Sequence, residues 1–493
     1  MNLGRELKGL GKNSLIYGVG GVLNRFIGFL LLPVFTSYLT PKEYGISAML
    51  GWISFVVAPV FSLGFGAAMG ICYFEGNNQD RKERTVWTSF ALLVLSGSVL
   101  SAIAVFLPET ISVFAFRTPQ MHHLVTLGLL TAAISIISTP FPLFLQFEKR
   151  ATLYVTMSAI NTLVSIGFSI ILVVVFRRGI LGLVEAGLIS TCISTCIFAI
   201  PALALIRFRL SRSVAREMLR HGAPLIPSFA FLFVMMHANK YILQWNSGLS
   251  VLGIYNIGFG FGTVMMIFVS AFTTAWYAYF MSFMDKPQET PELFKRILTI
   301  YLLGFGTLTL AFFAVAKPVV WIMTKPAFHE AYQVVGIIAA ANALVGVFSI
   351  VVSTLYFTKE VRQVSIIQFA TATICLLLSY PLIKYLGMMG TALDVLSGFL
   401  AMALGTYWWT RKYPRINVRC EWHRLVMFSL LGAVLSSGLL WPRQWGLPSE
   451  IVLTIIVLTC LPVLLMVSIT ESERTLVFKT VGAVFSRKLF GRA

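Results

Sequence analysis

The chain has 493 residues, 57% of them hydrophobic and 12% charged, with a mean hydropathy of +0.84 and a net charge of +19. Soluble domains carry about 25% charged residues, so a soluble enzyme is excluded, and with it room for a nucleotide-binding, glycosyltransferase or large extracytoplasmic domain. The positive charge is scattered through short loops between apolar runs, which excludes a nucleic-acid partner.

In chain order, Met1 to Gly11 sets Leu3, Leu7 and Leu10 at helical spacing with Arg5 and Lys8 between them. That pattern predicts a short amphipathic helix on the inner membrane surface. No cleavable signal peptide is evident. Fourteen apolar runs follow, at about 13–37, 44–73, 85–107, 121–146, 152–176, 180–206, 222–246, 250–283, 293–316, 330–356, 362–383, 388–410, 423–441 and 449–469. A membrane span needs ~20 apolar residues, so the predicted fold is an all-α polytopic membrane protein with about fourteen transmembrane helices. Pro33, Pro59, Pro140, Pro142, Pro224 and Pro227 fall inside or at the start of spans. Bent helices of this kind either line a transport cavity or are packing kinks.

Orientation follows from charge. With the N-terminus inside, the inner segments hold 28 Lys and Arg and the outer loops 8, while Arg25 and Lys240 lie within spans. Short cytoplasmic loops collect Lys and Arg, so both termini are placed in the cytoplasm. Six cysteines lie in or near spans with no metal-ligand spacing to histidine, and no metal or cofactor is expected. Cys192 and Cys196 share a helix face and read as small packing residues.

The chain also repeats. Asn24-Arg25-Phe26-Ile27 resembles Asn239-Lys240-Tyr241-Ile242, and each is followed by a Tyr/Gly pair, Tyr44-Gly45 and Gly253-Ile254-Tyr255. Glu148-Lys149-Arg150 resembles Lys359-Glu360-Val361-Arg362. Gly179 and Gly182, opening helix 6, resemble Gly387 and Gly390, opening helix 12, at an offset of 208. Because helices 1 and 7 both start inside, the halves are parallel repeats of six helices related by an axis along the membrane normal, and such repeats hold a substrate site at their interface. The predicted domains are an amphipathic segment 1–12, an N-lobe 13–210, a C-lobe 211–412, helices 13 and 14 in 413–470, and a basic cytoplasmic tail 471–493.

The buried charges are the candidate site. Arg25 sits near the middle of helix 1, where a charge faces a cavity or a partner. Its planar fork suits phosphate; the alternative is a structural Arg held by helix-end carbonyls or an acidic neighbour. Lys240 is nearer the outer end of helix 7 and has a route to the interface by snorkelling. His237 and Gln244 stand three before and four after it and predict a polar stripe, with Asn24 and Asn239 as further cavity-lining candidates. Glu185 and Asp394, just past the glycine pairs, are candidates for ion coupling, for outer-surface carboxylates, or for counter-charges to Arg25 and Lys240. Asn161, Asn256, Gln333, Asn342 and Gln368 read as interhelical glue. Trp52, Trp276, Tyr277 and Tyr279 read as sugar-stacking or interfacial aromatics. There is no catalytic constellation, so an enzyme is not expected.

Helix 1 and its exit, Asn24-Arg25-Phe-Ile-Gly-Phe-Leu-Leu-Leu-Pro33-Val-Phe-Thr-Ser-Tyr-Leu-Thr-Pro-Lys-Glu-Tyr44-Gly45, resembles the opening signature of Wzx-type polysaccharide flippases, the polysaccharide transporter branch of the multidrug/oligosaccharidyl-lipid/polysaccharide exporter superfamily. Gly222-Ala-Pro224-Leu-Ile-Pro227 resembles the start of that family's second lobe. Asn239-Lys240 with Gly253-Ile-Tyr255 resembles its acidic-basic pair, with Asn in place of the usual Asp, which weakens any titrating role for the pair. The resemblance implies two six-helix lobes in a V around a cationic cavity, plus two C-terminal helices. It implies a substrate of polyprenyl diphosphate carrying an oligosaccharide, with Arg25 and Lys240 as the diphosphate contacts. It also implies a bacterial inner-membrane location, a role in O-antigen, capsule or exopolysaccharide assembly, and the polysaccharide polymerase and chain-length machinery and membrane lipids as partners.

Four other readings compete. A lipid II flippase is disfavoured by the single intramembrane Arg. A cation-coupled multidrug exporter is disfavoured by the lack of a carboxylate in helix 1. A polysaccharide polymerase needs a long catalytic outer loop, and a scaffold leaves the repeat and the buried charges without purpose.

Overall fold

The computed structural model describes residues 29, 31–75, 78–226, 234–281, 290–357, 361–411, 421–440 and 447–468. No strand occurs among them. The first segment is α1 (Leu32–Tyr38), the exit of helix 1, followed by α2 (Pro41–Phe61), α3 (Phe65–Phe74), α4 (Gln79–Phe106) and α5 (Pro108–Phe116). Next come α6 (His122–Ser138), α7 (Pro140–Phe147), α8 (Ala151–Ile170), α9 (Gly179–Leu203) and α10 (Arg212–Gly222). The rest are α11 (Asn239–Gly262), α12 (Met265–Met281), α13 (Thr290–Met323), α14 (Tyr332–Phe357), α15 (Val361–Thr410), α16 (Trp422–Leu440) and α17 (Leu447–Ser468).

Ten stretches are long and apolar enough to cross a membrane, and two of them, Met236–Tyr277 with 42 residues and Gln363–Thr410 with 48, exceed one crossing. At ~1.5 Å per residue each is about twice the ~30 Å hydrocarbon thickness. Each breaks at a glycine in the left-handed region, Gly248 (φ 85°) and Gly387 (φ 53°), where a Cβ is strained. Each therefore holds two spans. The described residues thus show the all-α polytopic membrane architecture expected from the sequence.

Within hydrocarbon, a broken helix must re-pair its freed backbone groups. Between α2 and α3, at Leu63 (φ 54°) and Gly64 (φ 67°), the Ser62 N–H bonds the Ala58 carbonyl at 2.8 Å. The Phe61 carbonyl accepts the Ser96 hydroxyl of α4 at 2.7 Å. The N-terminus of α2 is closed by a capping box: Thr40 Oγ1 accepts the Glu43 N–H, and the Glu43 carboxylate accepts the Thr40 N–H at 2.8 Å, with Pro41 at the first helical position. This arrangement satisfies the orphan donors that begin a helix.

By packing, the chain divides into two units. The first comprises Met1–Asn256, Met323–Phe328 and Leu376–Thr391, and so gathers segments from both sequence repeats; the second comprises Ile257–Ile322, His329–Cys375 and Ala392–Ala493. In the first, α10 is the strongly amphipathic element. It buries Val214, Met218 and Gly222 and exposes Arg212, Arg216 and Arg220. Its Glu217 pairs with Arg81 of α4 at 2.7 Å, and Arg81 also pairs with Glu75. Nearby, Glu148 accepts the Tyr73 hydroxyl at 2.5 Å and Lys82 at 3.2 Å.

In the second unit a core of Trp276, Phe280, Phe294, Leu298, Tyr301, Ile350 and Val351 joins α12, α13 and α14. A second cluster, Leu303, Ala314, Phe428, Val457, Leu461 and Leu464, joins α13 to α16 and α17. The two C-terminal helices are tied to α13 by charge at both ends. Lys317 pairs with Glu450 at 2.5 Å, and at the opposite end Glu421 pairs with Lys295 at 3.5 Å and Arg424 at 2.5 Å, while Arg424 Nε bonds the Ser468 carbonyl at 3.0 Å.

Two predictions follow from these pairs. Lys317 and Glu450 are largely buried, at 18% and 10% side-chain exposure. Glu450→Leu strands the ammonium and should cost ~3 kcal/mol, read as a lower unfolding temperature in detergent; Lys317→Met/Glu450→Leu should recover most of the loss. The Tyr73 hydroxyl and then Lys82 hold the Glu148 carboxyl below its ordinary value, against the opposing effect of burial. Its contribution to stability is therefore full above the ordinary glutamate value of ~4.3 and is lost as pH falls below it. Between about pH 5 and pH 3 the unfolding temperature of the wild type should fall more steeply than that of Glu148→Gln.

Candidate functional site

The described part of helix 7 opens with a π turn, Val234–Ala238, that runs into α11 at Asn239. Such turns insert one extra residue per turn and recur at functional positions. Past the turn the helix shows two faces. One buries Asn239 (0% exposed), Lys240 (6%), Leu243 and Gln244 (8%). The other carries His237, Tyr241 and Trp245 at four-residue steps. His237 stacks on Phe55 at 4.3 Å, and Tyr241 stacks on both Trp52 at 5.1 Å and Phe114 at 5.5 Å. The Arg117 guanidinium lies 4.2 Å over Trp245, a cation–π contact.

Lys240 does not reach out to the interface. Its Nζ donates to Asn256 Oδ1 at 3.1 Å, within the first packing unit. A buried ammonium is tolerated only where polar groups replace its water, and Asn256 supplies a carbonyl oxygen for this. Neighbouring amides brace the same region. Asn239 Nδ2 donates to the Thr391 carbonyl at 3.4 Å, and Asn246 Nδ2 to the Ile383 carbonyl at 3.3 Å.

The predicted polar stripe is thus arranged on two faces: Lys240 and Gln244 share the buried one, and His237 belongs to the aromatic one. Asn24 and Arg25 lie outside the described residues. Glu185 pairs with Arg178 at 2.5 Å at the start of α9. Asp394 is 1% exposed in the second unit; its carbonyl accepts the Ser397 hydroxyl at 2.8 Å and the Cys375 thiol at 3.7 Å. Of the intramembrane amides, Asn342 bridges α14 to the Gly262 carbonyl at 3.5 Å. Trp276 is core, its indole donating to Ser353 at 2.9 Å, whereas Tyr277 and Tyr279 are exposed. Among the described residues no three His, Cys, Asp or Glu side chains come together to hold a metal ion.

Two features were absent from the sequence reading. The aromatic ladder of Phe55, Trp52, Tyr241 and Phe114 was signalled by the spacing of His237, Tyr241 and Trp245, but its partners on α2 and α5 were not. The other is a close crossing of backbones. A Cβ on Gly45 would lie 1.9 Å from the Leu249 carbonyl oxygen, and one on Gly253 would lie 1.9 Å from that of Pro41. Beside it, Glu43 Oε1 accepts the Ile180 N–H at 3.0 Å, and Tyr44 packs edge-on against Phe328 at 5.1 Å. The Tyr/Gly repeat pointed at these positions without saying that they meet.

Solved structures share this architecture. A lipid II flippase, MurJ, in an inward closed conformation aligns with TM-score 0.68 and 13% identity over 97% of this chain and 100% of that one. An inward-facing MATE-family multidrug resistance transporter aligns with TM-score 0.65 and 14% identity over 78% of this chain and 93% of that one. A transporter from Pyrococcus furiosus aligns with TM-score 0.57 and 14% identity over 82% and 95%. The fold is therefore that of the MOP-superfamily transporters. No curated protein sequence matches the chain. A family profile does, that of the polysaccharide biosynthesis proteins, over residues 34–332. The chain belongs to that family, as a multi-pass membrane protein.

Arg178 and Glu185 form an ion pair. Both side chains keep contact with solvent, at 45% and 22% exposure, so the pair is worth at most ~1 kcal/mol. Glu185→Gln and Arg178→Gln should each reduce function by no more than about twofold, and the double variant by no more than either alone. Quantitative complementation of a polysaccharide-deficient strain at matched expression checks this. A pronounced loss in Glu185→Gln alone would instead assign it the coupling role.

Proposed function

We propose that the protein is a flippase that moves polyprenyl-diphosphate-linked oligosaccharide repeat units from the inner to the outer leaflet of the bacterial cytoplasmic membrane, for assembly of O-antigen, capsule or exopolysaccharide. The observation that carries this reading is Lys240: a buried ammonium in a span of a polysaccharide-biosynthesis family protein, with the Asn256 amide oxygen among its contacts. A charge buried in a span faces a cavity or a partner, and a diphosphate crossing an apolar barrier needs cations along its way.

In this reading Arg25 of helix 1 and Lys240 of helix 7, set in the similar motifs Asn24-Arg25 and Asn239-Lys240, contact the diphosphate in turn. Asn24, Asn239, Gln244 and His237 line the sugar's route. The polyprenyl tail remains in lipid, so the protein shields only the head group. Alternating access of the two repeats moves the head group across, and Asp394 is the remaining carboxylate for ion coupling. No bond in the cargo is broken.

The test is complementation of a polysaccharide-export null strain by wild type, Arg25→Ala and Lys240→Ala at matched membrane expression, with lipid-linked oligosaccharide assayed by leaflet. Wild type should restore surface polymer. Each variant should cut it at least tenfold and leave the lipid-linked unit in the inner leaflet. Full activity in both variants would remove the diphosphate assignment. Wild type that rescues a strain lacking its lipid II flippase, but not polysaccharide export, would move the substrate to the peptidoglycan precursor. Wild type that lowers drug accumulation without moving lipid-linked sugar would make it a drug exporter.

A further inference from the structure

The crossing of α2 with the segment after Gly248 is reciprocal in a way that a chance contact is not. Gly45 and Gly253 are 208 residues apart, and so are Pro41 and Leu249. A Cβ on Gly45 would meet the Leu249 carbonyl, and a Cβ on Gly253 would meet the Pro41 carbonyl. Each glycine thus faces the repeat-equivalent of the residue that its own helix presents to the other glycine. The same offset separates Gly179 from Gly387 and Gly182 from Gly390. Contacts of the form i to j′ and j to i′ arise only where a two-fold axis passes between the partners. The pseudo-two-fold axis of the repeat therefore runs through this crossing. Lys42 and the loop at Gly248 lie on the outer side by the charge rule, so the crossing closes the outer end of that axis.

One helical turn past Gly253, on the same helix, stands Asn256, which accepts the Lys240 ammonium at 3.1 Å. We propose that the Gly45–Gly253 crossing is the outer gate of the transport path, and that the Lys240–Asn256 bond is the contact through which a bound diphosphate opens it. The first half stands on geometry alone; the second rests on the substrate reading given above. A diphosphate that takes the ammonium competes with Asn256 for it. The ligand therefore binds the form in which Lys240 is released more tightly than the form seen here, and differential binding of this kind is what shifts a two-state equilibrium. Asn256 acts as a positioning residue, holding the cation ready and the gate shut.

Backbone carbonyls seated directly on glycines admit no side chain. Alanine at either position forces the crossing apart by more than an ångström, while costing nothing in a conformation where the helices are separated. The test uses the full chain in membrane vesicles with its native cysteines replaced. Met49, one turn inward of Gly45 and fully buried, becomes the reporter as Met49→Cys, labelled from outside with a membrane-impermeant maleimide. Adding Gly45→Ala should raise its labelling rate at least fivefold, and so should adding Asn256→Ala, which introduces no bulk. Unchanged labelling in variants that unfold at the wild-type temperature would overturn the gate.

Because Gly45→Ala has a route to simple misfolding, a second measurement leaves the glycines intact. Tyr44→Cys and Phe328→Cys replace two rings in contact at 5.1 Å, and a short bis-maleimide should join them in the resting protein. Added undecaprenyl diphosphate should lower the cross-linking yield at least twofold, and Lys240→Ala should abolish that response. A yield that never changes, whatever the ligand or variant, would mean a static joint and no gate. A yield that falls with Asn256→Ala but ignores the lipid diphosphate would keep the gate and refute its control through Lys240.

Discussion

The constraint on which this protein is built is that no backbone group can be left unpaired in hydrocarbon. It makes the described residues largely helical, and several departures from the helix are positions with an identifiable partner. The break at Leu63–Gly64 is closed by Ser96, the cap at Thr40 by Glu43, and the start of α9 by the same glutamate through the Ile180 N–H. Glu43 is thus one side chain serving two helix ends on the outer side. The π turn before Asn239 and the reversals at Gly248 and Gly387 lie on the helices that carry Lys240, Asn256 and Thr391, while a second π turn, Ile171–Val175, and the positive-φ residues Arg117, Lys149 and Arg177 lie elsewhere.

Charge obeys a stricter version of the same rule. Each charge away from water is matched to the element it must hold. Lys317 with Glu450, and Lys295 and Arg424 with Glu421, rivet α16 and α17 to α13, so the two C-terminal helices form one body with their neighbour in the second unit. Arg81 with Glu217 pins the amphipathic α10 under the first unit. These are carboxylate pairs, whose fields close on themselves. Lys240 has the neutral amide of Asn256 among its contacts.

The fold class was legible because bilayer thickness imposes a span length that composition alone reveals. Fourteen runs, their order and their orientation follow from hydropathy and loop charge. The break positions were half legible: the glycine pairs at Gly179 and Gly387 announced themselves through repetition, whereas the non-glycine Leu63 at φ 54° carries no local signature. In the site, Lys240 stood out because an intramembrane cation is costly. Its partner did not, because Asn256 is one of several amides in spans and only packing distinguishes it from Asn342, which bridges two helices. The stripe of His237, Lys240 and Gln244 was drawn on an ideal helix. Four-residue spacing equally puts His237 in line with Tyr241 and Trp245, and packing on Phe55, Trp52 and Phe114 gives that face its aromatic partners.

The repeat explains why so little sequence specifies so particular a joint. In a chain of two parallel halves, residues far from the axis meet unrelated surroundings and drift apart in identity. Residues on the axis meet their own counterparts, so a single requirement acts on both copies. Gly45 and Gly253 are held to the same residue type because each must admit the carbonyl that the other's helix presents. Glu43, off the axis, has Val251 as its counterpart at the 208-residue offset and no shared role. Symmetry surviving only in this way marks where two halves of a chain touch across their axis. In the alternating access proposed for this protein, such a place would bear the motion.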